Sequence, residues 1–234
     1  MRPQLQTTNI ETIVREEVQQ DPLLETALKL YEKEKENIIK KYVWLDRTAY
    51  TFKIQTPALS PTQIALFCQN EEQNEAFSLY LNSLIQKSYK EGNNNFTLAF
   101  NTPHDGLLYR VQGTKEQPIN ITINGNTKDN CAQASEDLNL TINGNTKNNC
   151  AENSSHANIT INGNTEDFCA YQSKYINLTI NGNTGNICAE WSEHAKITIN
   201  GTIGRDLSHN PTYFTNNPTT YEQLKALGCN VTLQ

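Results

Sequence analysis

Apolar and polar residues alternate through the second half of the chain, and the alternation recurs every 19 residues. The segments ITINGNTKDNCAQAS, LTINGNTKNNCAENS, ITINGNTEDFCAYQS and LTINGNTGNICAEWS follow one another at that spacing, and a degenerate copy, ITINGTIGRDLSHN, closes the series. Alternation with a period of two is the strand pattern. It sets Ile121, Leu140, Ile159, Leu178 and Ile197 in one inward column and Ile123, Ile142, Ile161, Ile180 and Ile199 in the next. Thr122, Thr141, Thr160, Thr179 and Thr198 point outward between them, flanked by Asn124, Asn143, Asn162, Asn181 and Asn200. A fixed period of this length is a solenoid signature, and helical repeats need roughly 33 residues or more. The repeat therefore predicts a parallel β-helix of about five 19-residue coils over 119–210. Right-handed winding is the default of parallel crossovers, and coils stack ~4.8 Å apart. Gly125, Gly144, Gly163, Gly182 and Gly201 follow the outer Asn and are predicted to give the corner a positive φ.

The remaining columns invite chemical readings. Cys131, Cys150, Cys169 and Cys188 repeat in register. Thiols stacked at ~4.8 Å form a line, whereas zinc needs ligands that converge on a point. Their Cβ spacing also exceeds that of a disulfide. They read as a buried column of reduced, small side chains beside Ala132, Ala151, Ala170 and Ala189, with Leu207 taking the place in the last coil. Asn126, Asn145, Asn164 and Asn183 read as an asparagine ladder, and Ser135, Ser154, Ser173 and Ser192 as a hydroxyl column.

The flanks differ in period. Residues 1–93 read as a mainly helical N-terminal domain. Asn9 is placed to cap a short helix, Asp21–Pro22 opens another, and Leu24, Leu28, Tyr31, Ile38 and Tyr42 recur at helical spacing. Ala49–Ile54 reads as a strand, Ser60–Pro61 as a helix start, and Asn70 as the cap of a longer helix that Gly92 ends. Phe96–Phe100 and Leu107–Val111 read as strands that lead into the first coil over 94–118. Thr219 and Glu222 fit a capping box, so 211–234 is predicted to form a helical cap that shields the last coil from edge-to-edge stacking. The N-terminal domain is expected to cover the first coil. The fold class is thus α+β.

The unit I-T-I-N-G-N-T-x-x-x-C-A, with Gly182-Asn-Thr-Gly185 in the fourth copy, resembles the coil of the GXGXG-type β-helix. That fold forms the C-terminal domain of the glutamate synthase large subunit and also occurs in formylmethanofuran dehydrogenase. The resemblance covers roughly 120–206. The second glycine stands only at Gly185 and Gly204, while Lys128, Lys147 and Glu166 hold the equivalent places elsewhere. In those enzymes the β-helix resembles a spacer between catalytic domains. The resemblance therefore implies a structural or assembly module and supplies no catalytic residues.

Composition narrows the function classes. The net charge is −6 and no basic stripe is visible, which argues against nucleic acid as a partner. No apolar run reaches the ~20 residues of a membrane span. The opening MRPQLQTTNIETIVREE has no apolar signal core, so a cytoplasmic location is expected. β-Helix lyases and hydrolases need clustered carboxylates. Here Asp129 and Asp167 lie two coils apart with Asn148 between, and Tyr171 separates Glu152 from Glu190. His156 and His194 share a column with Asp137 and Tyr175, too far apart for joint metal ligation, and His104 and His209 show no partner in the sequence pattern. No catalytic, metal or cofactor site is predicted. Two surfaces remain: the Asn-Thr-Asn face, similar to the threonine arrays of ice-binding solenoids, and an aromatic patch of Phe168, Tyr171, Tyr175, Ile187 and Trp191. The patch is expected either to bind a protein or to receive the chain's own N-terminal domain or C-terminal segment, with the latter favoured. The leading expectation is a non-enzymatic structural or assembly scaffold with a protein partner or self-association, a homo-oligomer being one such form. A solenoid that binds a ligand, ice or a polymer is the alternative, and a non-catalytic subunit of a larger enzyme the second.

Overall fold

The computed structural model describes residues 21–44, 54–70, 74–205, 207 and 210–234. Helices α1 (Pro22–Trp44), α2 (Pro61–Cys68) and α3 (Glu75–Lys90) precede eight strands. These are β1 (Asn95–Ala99), β2 (Ile119–Asn124), β3 (Leu138–Asn143), β4 (Asn158–Ile161), β5 (Asn177–Ile180), β6 (Lys196–Ile199), β7 (Thr212–Thr215) and β8 (Asn230–Leu233), with helix α4 (Pro218–Ala226) between the last two. All eight form one parallel sheet in chain order, the long wall of a β-solenoid of about six turns.

The repeat strands pair in the register that the 19-residue period demands: Ile121 with Leu140, then Ile159, Leu178 and Ile197. Both inward columns are buried, none of these residues being more than 2 % exposed. The sheet extends beyond the repeats at both ends. At the start, Phe96 and Leu98 of β1 continue the two columns against Ile121 and Ile123. At the end, the segment expected to form a helical cap contributes β7 and β8 as well as α4.

The corner glycines serve a different purpose from the one expected. Gly125 alone in its column has a positive φ, of 137°. At Gly163 a Cβ would lie 2.5 Å from the Gly144 carbonyl oxygen, so the coils meet backbone to backbone with no room for a side chain. The left-handed residues lie elsewhere. Asn130, Ala132 and Ala134 have φ of 62°, 55° and 57°, and their counterparts in the next three coils match them. There the chain makes two successive turns, closed by Gln133 N–H to Asn130 O at 3.3 Å and Ser135 N–H to Ala132 O at 3.4 Å. Leu108 and Arg110 adopt the same conformation, with φ of 62° and 55°. Leu107–Val111 is therefore the opening coil's version of this turn and not a strand.

Two helix starts agree with the sequence. Ser60 and Gln63 form a capping box on α2, and Asp21 accepts N–H bonds from Leu23 and Leu24 at 3.0 and 3.1 Å on α1. The Asp21 carboxyl is held below its usual range, first by its hydrogen bond from Gln63 and then by the bond from Leu24 N–H. Two caps differ. Asn74, not Asn70, caps α3, because Asn70 belongs to the turn that ends α2. Asn217, not Thr219, caps α4, accepting from Thr219 and Thr220 N–H, with Pro218 at the first helical position. The helix predicted after Asn9 and residues 49–53 of the predicted strand lie outside the described residues; Ile54 is not in a strand.

The α1 stripe packs inside its own domain: Leu24, Tyr31 and Ile38 are buried, with Tyr31 edge-on to Phe67 and Phe77. That aromatic cluster runs on into the solenoid. His104, for which the sequence pattern offers no partner, is buried and stacks on Phe77 with ring centroids 4.7 Å apart. The N-terminal domain also closes the first coil, as expected. Asn82 of α3 accepts from Leu108 N–H at 2.8 Å and donates to Gly106 O at 3.1 Å. In later coils the matching N–H of Ala151 bonds the preceding coil at Cys131 O, 2.8 Å away. The Asn82 amide thus stands where a preceding coil would be.

Candidate functional site

The Asn-Thr-Asn face is built by the outward residues of the sheet. Thr122, Thr141, Thr160, Thr179 and Thr198 pair directly across neighbouring strands, and Thr97 on β1 adds a sixth row. Phe214 ends the array by pairing with Thr198. The Asn124, Asn143, Asn162, Asn181 and Asn200 amides are joined Nδ2 to Oδ1 at 2.7–2.8 Å. A second ladder on the other side of the threonines links Asn95, Asn120, Asn139, Asn158 and Asn177 at 2.7–3.0 Å. Each amide between the ladder ends spends one donor and one acceptor on its neighbours, which fixes its plane and leaves the rest of its capacity to solvent. The face is thus a lattice of pinned amides flanking a row of threonines, ~4.8 Å along the axis and about 6.7 Å across it.

The column read as an asparagine ladder works differently. Asn126, Asn145 and Asn164 each accept, through Oδ1, the backbone N–H of the next coil's asparagine at 2.7–2.8 Å, and Asn183 accepts from Thr202 N–H at 2.8 Å. The column of Asp129 and Asp167 does the same. Asp129 accepts from Asn148 N–H, Asn148 from Asp167 N–H and Asp167 from Asn186 N–H at 2.7–3.1 Å. Acidic groups engaged in this way brace a corner. The serine hydroxyls are buried and donate to carbonyls of the preceding coil, as Ser154 does to Ala132 O and Ser173 to Ala151 O, both at 2.7 Å.

All six cysteines are buried, and none forms a disulfide. Cys150 and Cys169 sit well above the ordinary thiol range, first through their hydrogen bonds to Cys131 and Cys150 and then through burial. A protonated, inaccessible thiol is a poor nucleophile and a poor ligand. Among the described residues no group of three or more His, Cys, Asp or Glu is placed to hold a metal ion.

The structure divides the aromatic patch. Phe168 meets Tyr171 edge-on at 5.7 Å. Tyr175 is sandwiched between His156 and His194 at 5.0 and 4.7 Å, with planes within 8° of parallel. The shared column is the sequence signal for this stack, since rings one coil apart are spaced for contact. His156 also lies 3.9 Å from Glu136. Among the described residues no segment of the chain covers the outer rings of the patch: Tyr175 remains 51 % and Trp191 64 % exposed. The N-terminal helices instead use their apolar faces on one another and on β1.

The chain matches no family model, no curated protein and no solved structure. No helix among the described residues is long and apolar enough to cross a membrane. What the geometry offers is a β-solenoid with one ordered polar face and a separate group of exposed rings.

Proposed function

We propose that this protein is a non-enzymatic cytoplasmic scaffold that holds a partner protein through the aromatic residues of its third and fourth repeats. One observation carries the reading. The polar columns of the solenoid are spent on coil-to-coil bonding, while large rings stand exposed at Tyr175 and Trp191. Exposed aromatics on a rigid support are the usual anchors of protein interfaces. The resemblance to GXGXG-type β-helices supports a structural role, and six thiols outside any disulfide suit a reducing compartment. The test is affinity purification of the full-length chain from its native cell beside Trp191→Asp. Because Trp191 is exposed, the variant should keep the wild-type melting temperature yet lose a partner that wild type retains at fixed stoichiometry. Identical co-purifying proteins would remove the patch from this role.

A second reading rests on the sixth threonine row and the two amide ladders. A lattice this regular suits a repetitive surface such as ice or a crystalline polysaccharide. Thr160→Tyr places a bulky ring in mid-array and should abolish sedimentation with cellulose or chitin and partition into ice. A variant that still binds would sink the reading.

A further inference from the structure

The two ends of the solenoid are finished differently. At the start, α2 packs on β1, and the Asn82, Gln86 and Tyr89 side chains of α3 bond main-chain groups of the first coil at Gly106, Leu108, Gln112 and Gln117. At the other end β8 is last in the sheet. Helix α4 braces the corner beneath it, through Thr220 and Asn217 to Gly201 O, and does not take a place beside β8 in the sheet.

In a parallel pair, alternate residues turn both N–H and C=O to the same neighbour. Gln234 N–H donates to Thr215 O at 2.9 Å, so Asn230, Thr232 and Gln234 face β7. Val231 and Leu233 therefore direct N–H and C=O away from the sheet. The strand is short, but Asn-Val-Thr-Leu carries neither charge nor proline, two of the usual guards of an edge. Beside it, Leu233 and Leu227 are 48 % and 43 % exposed.

We propose that β8 is the site of self-association, and that the occupant is β8 of a second copy. Head-to-tail stacking would instead have to displace α2, which packs on β1 at the opposite end. Pairing like with like is two-fold and closes at a dimer. A two-fold axis through Thr232 sets Val231 opposite Leu233 of the second copy. The antiparallel pair then exchanges about four main-chain hydrogen bonds. This inference deepens the scaffold reading by naming how copies meet, but it uses a different surface and is tested apart from it.

The experiment is light scattering coupled to size exclusion on the reduced full-length chain over a range of concentrations. The wild type should approach twice 26.4 kDa. Val231→Pro removes one outward donor per chain, hence two bonds per dimer, and should weaken the dimer roughly ten- to hundred-fold. Leu233→Lys, which retains every main-chain group, should also give monomer by placing charge at the junction. Trp191→Asp should leave the dimer intact. A wild type that stays monomeric, a dimer that survives both β8 variants, a dimer lost only with Trp191→Asp, or an open-ended series of larger species would each overturn the proposal.

Discussion

Gly163→Ala should lower the stability of the solenoid by about 3 kcal/mol or more, the upper range for overpacking a rigid interior. The added Cβ meets the Gly144 carbonyl oxygen at 2.5 Å and its carbon at 2.7 Å, with Asn145 Oδ1 also inside contact distance. These are not free side-chain ends. The Asn145 oxygen holds the Asn164 N–H at 2.8 Å, and the Gly144 carbonyl belongs to the coil backbone. Relief requires the two coils to part, which loosens the pairing of Ile142 with Ile161 on one side and the asparagine bonds on the other. Gly92→Ala is the comparison. Gly92 has a φ of 95° but open space around it, so its substitution should cost only about 1 kcal/mol of backbone strain. Urea midpoints of both variants decide the matter. Equal losses would show that the coils part at little cost and that close approach does not fix glycine at the corner.

Asn82→Leu should cost about 2–4 kcal/mol, because a side chain of similar size takes away both bonds that close the first coil. It strands Leu108 N–H, on a residue with 0 % exposure, and the Gly106 carbonyl. A stacked fold passes such damage chiefly to its nearest neighbours. Hydrogen exchange should therefore quicken at Leu108 and at Ala132, whose N–H bonds Leu107 O at 2.7 Å, well before it changes at Ala189. If protection falls evenly along the chain, the solenoid unfolds as one unit and Asn82 is not a local seal.

The turn residues that the sequence conceals share one property. Ala132, Ala151, Ala170 and Ala189 hold φ of 55–59°, where glycine or asparagine is the usual signal. Alanine hides that conformation, and only the bonds between coils, such as Ala170 N–H to Cys150 O at 2.7 Å, hold it there. The glycines that look like turn formers are needed for closeness instead. The asparagine columns are all visible as columns, but which of them bond amide to amide and which bond amide to backbone depends on side-chain direction at a corner. The aromatic residues of the third and fourth repeats are identifiable as a departure from the repeat. Their division into a Phe168–Tyr171 pair and a His156–Tyr175–His194 stack is not, because it depends on the angle between faces of the coil.

The amino-acid sequence by itself determined the solenoid, its period, its strand register and its inward columns. The reason is physical: a two-residue alternation repeated at a constant interval allows one stacking that buries every apolar residue. It also determined the buried fate of the cysteines, since a line of thiols can neither converge on a metal nor bridge. The tertiary structure alone decided where the solenoid begins and ends. β1, β7 and β8 lie outside the repeat and join the sheet only because Phe96, Leu98 and Tyr213 complete a core that the repeats leave open. The unequal finish of the two ends was likewise decided there, by α2 and the side chains of α3 at one edge and by the outward-facing main chain of Val231 and Leu233 at the other.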